Sequence, residues 1–354
     1  MKIKELQKKL REKGIDAALL YNMETNEENP NMRYLANYKG YGFLIVPAKK
    51  RPFLVAPLMD IEYLLKSGMK FYLMKKNFME KIKKKLRNPR KIGVEARNFS
   101  IFALKKFRKH FKAKFIDVSE LIEELRITKT KEEIKIIKEA SGITNGIINR
   151  CIGNFGKFRT EKDVERFLKI ECIKNNVEPS FNIIVASGIS PATPHHIPSN
   201  KPLRRGFCVI DFGIRYKGYC TDVTRTVFIG SPSEKEKRMY SLVLSVQEKA
   251  IEKIKIGMNY SELDDFAKKE FGKYAKRFIH SLGHGLGIEV HESSMLYDKN
   301  QKIENGMYFT IEPGLYFPLR FGIRIEDDIF IHRGKVIDLT TVSKQLVCIK
   351  PKNF

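Results

Sequence analysis

The chain has no tryptophan among its 354 residues, and with abundant Lys, Ile and Glu this composition suits a thermophile. It has no stretch of about 18 consecutive apolar residues, which excludes a membrane-spanning helix. The opening segment MKIKELQKKLREKG has no apolar h-region and is not read as a signal peptide; Ile3, Leu6 and Leu10 mark it as an amphipathic first helix. The five cysteines (Cys151, Cys172, Cys208, Cys220 and Cys348) form no C-x-x-C pair. Their odd number in a long chain argues against a disulfide framework and for reduced thiols in the cytoplasm. Carboxylates are also short: 41 Asp and Glu against 67 Lys and Arg give a formal charge of +26. Such a charge raises nucleic acid or an anionic membrane as partners. No nucleic-acid motif accompanies it, and the densest run, Lys76 to Lys91, reads as a solvated helix face, so neither partner is expected.

The chain is long enough for two domains, and 42% hydrophobic residues supply material for a core. Residues 1–125 alternate short strands such as GFLIVP and PFLVAP with helices, including one over Ile101 to His110, an α/β layer with no evident chemistry. The boundary falls at RITKTKEEIKIIKEA, where Thr130 and Glu133 form a capping-box pattern ahead of a helical repeat of Ile134, Ile137 and Ile147. Residues 126–354 then combine four helices with antiparallel-looking strands, which predicts an α+β domain. The second helix follows Thr160. The third follows Ser233, with Glu236 as its capping partner, and runs to Gly257; the fourth starts at Ser261.

The chemistry lies where this second domain breaks its own pattern. Asp211, Asp222, Glu312 and Glu326 stand in strands that are otherwise apolar, and His284 is flanked by glycines in SLGHGLG. A buried carboxylate costs several kcal/mol unless it is paired or binds a metal, so four in one domain call for a cation. A two-residue loop at Lys217-Gly218 would set Asp211 opposite Thr224 and Asp222 opposite Gly213, making the two acids diagonal neighbours; a three-residue loop would send Asp222 to the other face. A hairpin centred near Leu319 would set Glu312 beside Glu326. Four carboxylates and an imidazole make a hard ligand set suited to Mn²⁺, Co²⁺, Fe²⁺ or Zn²⁺. Two such ions about 3.5–4 Å apart would activate a bridging water toward an acyl carbon.

Taken together and in order, VIDFGIRYKGYCTDVTRTVFIG, FIHSLGHGLGIEVHE, FTIEPGLYF and GIRIEDDIFI closely resemble the pita-bread metallopeptidases, in particular their Xaa-Pro dipeptidase (prolidase) and Xaa-Pro aminopeptidase branch. LREKGIDAALL and MRYLANYKG resemble, more weakly, the smaller creatinase-type domain that precedes it. The resemblance implies an α+β pita-bread catalytic domain behind an α/β N-terminal domain, and hydrolysis of the bond between an N-terminal residue and proline. It leans toward a dipeptidase over an aminopeptidase P. It implies two divalent ions, Mn²⁺ or Co²⁺ ahead of Zn²⁺ or Fe²⁺, with Asp222 and Glu326 bridging, Asp211 on one ion, and His284 with Glu312 on the other. Glu312 would also be the general base, His195 and His291 would contact substrate and the tetrahedral centre, and His280 and Arg324 would stand at the pocket edge. His196, next to His195, is open between pocket and surface, and so is Tyr316 between core and pocket. Cys220 reads as a packing residue. A homodimer is implied by resemblance. The alternatives are a methionine aminopeptidase, which shares the ligands without the N-terminal domain, and a non-catalytic relative that binds peptide, histone or nucleic acid, whose kind have lost ligands.

Overall fold

The computed structural model describes residues 2–22, 28–292 and 301–350, and the chain divides into two units, Met1–Arg126 and Ile127–Phe354. The first unit is built on a six-stranded mixed sheet. Its strand order is Phe71–Leu73, Phe53–Ala56, Gly42–Pro47, Ala17–Asn22, Lys91–Val94, Lys114–Asp117. Strands Ala17–Asn22 and Gly42–Pro47 are buried at every position, so they read as continuous apolar runs without alternation. Helices such as Lys2–Glu12, Phe78–Leu86 and Ile101–His110 pack on this sheet through one stripe each; Leu6 and Leu10 of the first are fully buried. The lysine-rich run is indeed the outer face of Phe78–Leu86, whose buried residues are Met79 and Ile82.

In the second unit, two helix pairs cover two sheet systems. Helices Lys131–Gly153 and Glu161–Lys174 share a core with strands Gly206–Phe212 and Val223–Ile229. Helices Glu234–Lys253 and Tyr260–Phe271 share another with strands Tyr308–Ile311, Phe321–Arg324 and Asp327–His332. The capping boxes at Thr130–Glu133 and Ser233–Glu236 form as read. The third helix ends at Lys253, four residues before the glycine expected to stop it, because Ile254 turns to extended backbone and buries its side chain. The fourth begins one residue early, at Tyr260, capped by Asn259.

The two sheet systems are stitched along a buried seam. The amide of Glu326 donates to the Thr224 carbonyl (3.1 Å), and the Thr226 hydroxyl donates to the Arg324 carbonyl (2.8 Å). Beneath the seam, the fully buried Arg225 donates to the carbonyls of Thr224, Glu326, Val342 and Ser343. The first unit is thus α/β, and the second is α+β, as expected from the sequence.

Candidate metal centre

Two hairpins deliver the acids to the seam. Lys217 and Gly218 both take positive φ (46° and 88°) and close a two-residue loop, with Tyr216 paired to Tyr219 and Thr224 to Asp211. Continuing that register sets Asp222 opposite Gly213. A side chain at Gly213 would put its Cβ 1.8 Å from the Thr221 carbonyl oxygen, so the close approach beside Asp222 requires glycine. The second hairpin turns at Leu319 (φ 58°), pairs Phe317 with Phe321 and Gly314 with Arg324, and resumes beyond as Ile311 paired with Asp327. Glu312 and Glu326 therefore stand opposite each other. His284 enters on a segment laid against Tyr308–Ile311: its amide donates to the Thr310 hydroxyl and its carbonyl accepts from the Thr310 amide (3.0 and 2.9 Å). Gly283 permits this, since a Cβ there would sit 2.0 Å from the Thr310 carbonyl oxygen.

The side chains converge. One ligand atom each from Asp222, His284 and Glu326 lie within 4.8 Å of one another, and all three residues are buried. His284 Nε2 is 3.5 Å from Asp222 Oδ2 and 3.4 Å from Glu312 Oε1. Asp211 lies alongside, one oxygen bound to Arg324 Nη2 at 2.5 Å. Burial pushes the carboxyls of Asp222 and Glu326 well above the ordinary range, and the charges of neighbouring acids push further; Asp211 is raised by burial and less so, because Arg324 opposes it. Asp211 Oδ1 and Asp222 Oδ1 are buried with no hydrogen-bond partner among the described residues. Hard oxygen donors left unsatisfied beside an imidazole fit a divalent cation.

Three further histidines lie near this cluster. The ring of His291 packs edge-on against that of His284, with centroids 4.4 Å apart, in a turn closed by Glu292, which accepts from the Ile288 amide (2.6 Å) and Lys129 (2.9 Å). His291 keeps an exposed edge, and the partial burial of its ring, then the His284 charge, lowers it to about 4. His280 is lowered by burial as well. Its Nδ1 lies 2.8 Å from the Ser281 carbonyl and must carry the proton, which leaves Nε2 to accept from the Tyr316 hydroxyl (2.9 Å). The Tyr316 oxygen in turn accepts from Arg324 Nη1 (2.9 Å). Tyr316 thus belongs to both core and pocket. His195 is exposed and near enough for its charge to oppose protonation of both His280 and His291.

His196 is neither a pocket residue nor a free surface one: its Nε2 lies 2.9 Å from Glu161 Oε2. Cys220 is buried, its thiol against the Ile288 carbonyl. Two residues carrying part of the site were not singled out from the sequence. The Thr224 hydroxyl donates to Glu326 Oε2 (2.6 Å) and accepts from Arg324 Nε (3.1 Å). Asp328 Oδ2 accepts from the Asp222 amide (3.3 Å) and the Tyr308 hydroxyl (2.8 Å), while its other oxygen is buried without a partner among the described residues. The consecutive acids of IEDD in a buried strand were the available signal for Asp328.

Comparison with known proteins agrees with this architecture. Residues 2–128 match the creatinase/prolidase N-terminal domain and residues 135–333 match metallopeptidase family M24. The Xaa-Pro dipeptidase of Pyrococcus furiosus is 36% identical over 315 residues, covering 87% of this chain and 89% of that protein. The structure of the Xaa-Pro dipeptidase from Bacillus anthracis superposes with a TM-score of 0.91 at 33% identity, over 98% of this chain and 99% of the other. The X-Pro aminopeptidase of Thermotoga maritima superposes at 0.84 with 30% identity, over 95% and 98%. With both domains matched in order and the family's fold reproduced, this chain belongs to metallopeptidase family M24 and is a metallopeptidase with a creatinase/prolidase-type N-terminal domain.

Proposed function

We propose that this enzyme hydrolyses the peptide bond between an N-terminal residue and proline, as a dipeptidase, with two divalent ions held by Asp211, Asp222, His284, Glu312 and Glu326. The observation that carries the reading is the pair of buried, unpartnered oxygens on Asp211 and Asp222 beside the Asp222–His284–Glu326 cluster. The relatives named as Xaa-Pro dipeptidases support the substrate class, and the match to an X-Pro aminopeptidase leaves chain length of the substrate to experiment. The oxygen-rich donor set favours Mn²⁺ or Co²⁺ over thiophilic ions.

When bound, the ions would lower the pKa of a shared water and polarise the scissile carbonyl. The remaining work falls to side chains. Glu312, half-buried and touching His284, takes the proton from the water. Thr224 and Arg324 fix one oxygen each of Glu326 and Asp211, so the opposite oxygens face the cluster. His291, packed against His284, donates a hydrogen bond to the tetrahedral oxygen. His195, exposed at the mouth, contacts the substrate and is placed to protonate the departing proline nitrogen, which has no N–H of its own. His280, locked by Ser281 and Tyr316, lines the pocket edge.

No described helix is long and apolar enough to cross a membrane. All five cysteines are free thiols, which supports a reducing cytoplasmic setting. We propose a homodimer on the family resemblance; sedimentation of the purified chain checks it. The activity is tested by offering Xaa-Pro dipeptides, longer Xaa-Pro peptides and Met-initiated peptides with Mn²⁺, Co²⁺ and Zn²⁺. Cleavage led by the dipeptides is expected. Preference for Met-initiated peptides, or no cleavage with any ion, overturns the reading.

A further inference from the structure

We infer that Glu161 is a positioning residue for catalysis, acting through the loop that carries His195; the inference rests on the proposed Xaa-Pro peptidase reading and extends it. Glu161 is the first residue of helix Glu161–Lys174, a position where an acid ordinarily faces solvent and complements the helix dipole. Here it is 2% exposed. Its two oxygens grip both ends of one segment. Oε1 accepts from the amide and hydroxyl of Ser187 (2.8 and 3.2 Å), the last residue of strand Ile184–Ser187. Oε2 accepts from the amide and hydroxyl of Ser199 (3.0 and 2.9 Å) and from His196 Nε2 (2.9 Å).

Between those anchors the chain leaves the sheet at Gly188, in left-handed backbone with φ 66°, and makes the short turn Ser190–Ala192 before presenting His195. His195 and Ile197 are exposed while His196, between them, points back to Glu161. The alternation is what a single internal anchor does to an irregular segment: fixing residue 196 inward turns its neighbours outward. A carboxylate is an acceptor on every lone pair, so the five donors are all satisfied by an ionised Glu161, and His196 must carry its proton on Nε2. Burial pushes the Glu161 carboxyl up, and the His196, Ser187 and Ser199 donors more than cancel this, holding it below its ordinary range. An amide at position 161 could accept on one side only and would set its own N–H₂ against donors on the other.

One carboxylate far from the reacting bond in the chain therefore sets where His195 stands relative to His280 and His291. A displacement of about 1 Å at a substrate-contacting group costs on the order of a hundredfold in rate. The exposed His195 has no described hydrogen bond of its own that would compensate.

The test compares Glu161→Gln with wild type on an Xaa-Pro dipeptide, in the native background and with His195→Ala. Metal content and Tm are measured on the same metal-loaded samples. Acting through His195, Glu161→Gln lowers kcat/KM by about tenfold or more in the native background. With His195 already removed it lowers it by less than about threefold, with bound metal unchanged throughout. A merely structural role predicts the same factor in both backgrounds, scaling with the fall in Tm, and that result overturns the inference. Should Glu161→Gln not fold, His196→Leu and His196→Gln replace it on a half-buried side chain. Gln, which keeps an N–H toward Glu161, should retain several-fold more activity than Leu, and equal activities refute the inference. A wild type that cleaves no Xaa-Pro substrate overturns the functional reading and this one with it. A wild type that cleaves them, with no coupling between Glu161 and His195, overturns this one alone.

Discussion

Glu326 and Asp327 are neighbours on the chain and equally hidden from water, at 2% and 0% exposure, yet their surroundings are opposite in kind. Asp327 points to the side of the seam where Arg225 Nη2, Lys344 Nζ and Gln247 Nε2 all donate to it, at 2.7, 2.7 and 2.6 Å. Burial pushes its carboxyl up, but the two cations more than reverse that and hold it below the ordinary range. Glu326 points to the other side, where the nearest charges beyond Arg324 are other carboxylates, and its carboxyl is driven well above the ordinary range. The first unit supplies a third case. Glu95 is buried and raised by that burial, but the side-chain amides of Asn29, Asn31 and Asn98 donate to it and no oxygen is left over. A buried acid answered by protein donors is architecture. A group of buried acids answered by one another is a site waiting for a cation.

The contrast can be broken from either side of the strand. Asp222→Asn should reduce Xaa-Pro hydrolysis to the limit of detection, while the ion-free protein melts no lower than wild type, because one member of a mutually repelling set is gone. Assays of activity and Tm under chelator check both halves; a strongly lowered ion-free Tm would mean that Asp222 is structural. Asp327→Asn should do the reverse, costing about 3–5 kcal/mol by leaving the buried Arg225 without its counter-charge, while the half-buried Lys344 keeps Asp338. Denaturant unfolding measures this, and a cost below about 1 kcal/mol would remove the distinction.

The acids also give a pH signature. In the ion-free protein the folded-state pKa values of Asp222 and Glu326 lie above the unfolded ones, so the folded state binds more protons. Their contribution to stability is therefore lost as pH rises above the ordinary carboxylate range. Metal replaces those protons, so the rise in Tm on adding Mn²⁺ should be larger at pH 7.5 than at pH 5.5. An equal rise at both would show that the acids are not the ligands.

The smallest effect belongs to a paired acid at the surface. Glu236 is lowered to about 2, mainly by Arg205 and further by the Ser233 cap. A lowered acid stabilises above its unfolded pKa and loses that contribution as pH falls through its folded one. Glu236→Gln should cost about 0.5–1 kcal/mol at pH 7, as a weakened cap does, and the cost should shrink as pH drops toward 2.

Much of this was legible in the residues because hairpin registers are arithmetic. The Lys217-Gly218 turn makes Asp211 and Asp222 diagonal neighbours, the centre at Leu319 sets Glu312 opposite Glu326, and the structure carries both registers through. Acids interrupting apolar strands stood out for the same reason that they are costly. What could not be read were interactions between elements distant in sequence. Nothing local tells that His196 turns away from the pocket to Glu161, 35 positions earlier, or that Thr224 bonds Glu326 across the seam, 102 positions on. The end of the third helix was misplaced because Gly257 is a strong local stop signal, whereas burial of Ile254, a tertiary effect, ended the helix first.

The proposed chemistry requires that metal answer the buried acids. Calorimetric titration of the chelator-stripped, folded protein with Mn²⁺, repeated on Asp222→Asn, addresses that directly. Two equivalents bound by wild type, with release of protons, and loss of both or one in the variant are expected. No binding by wild type, or binding that Asp222→Asn leaves unchanged, would contradict it.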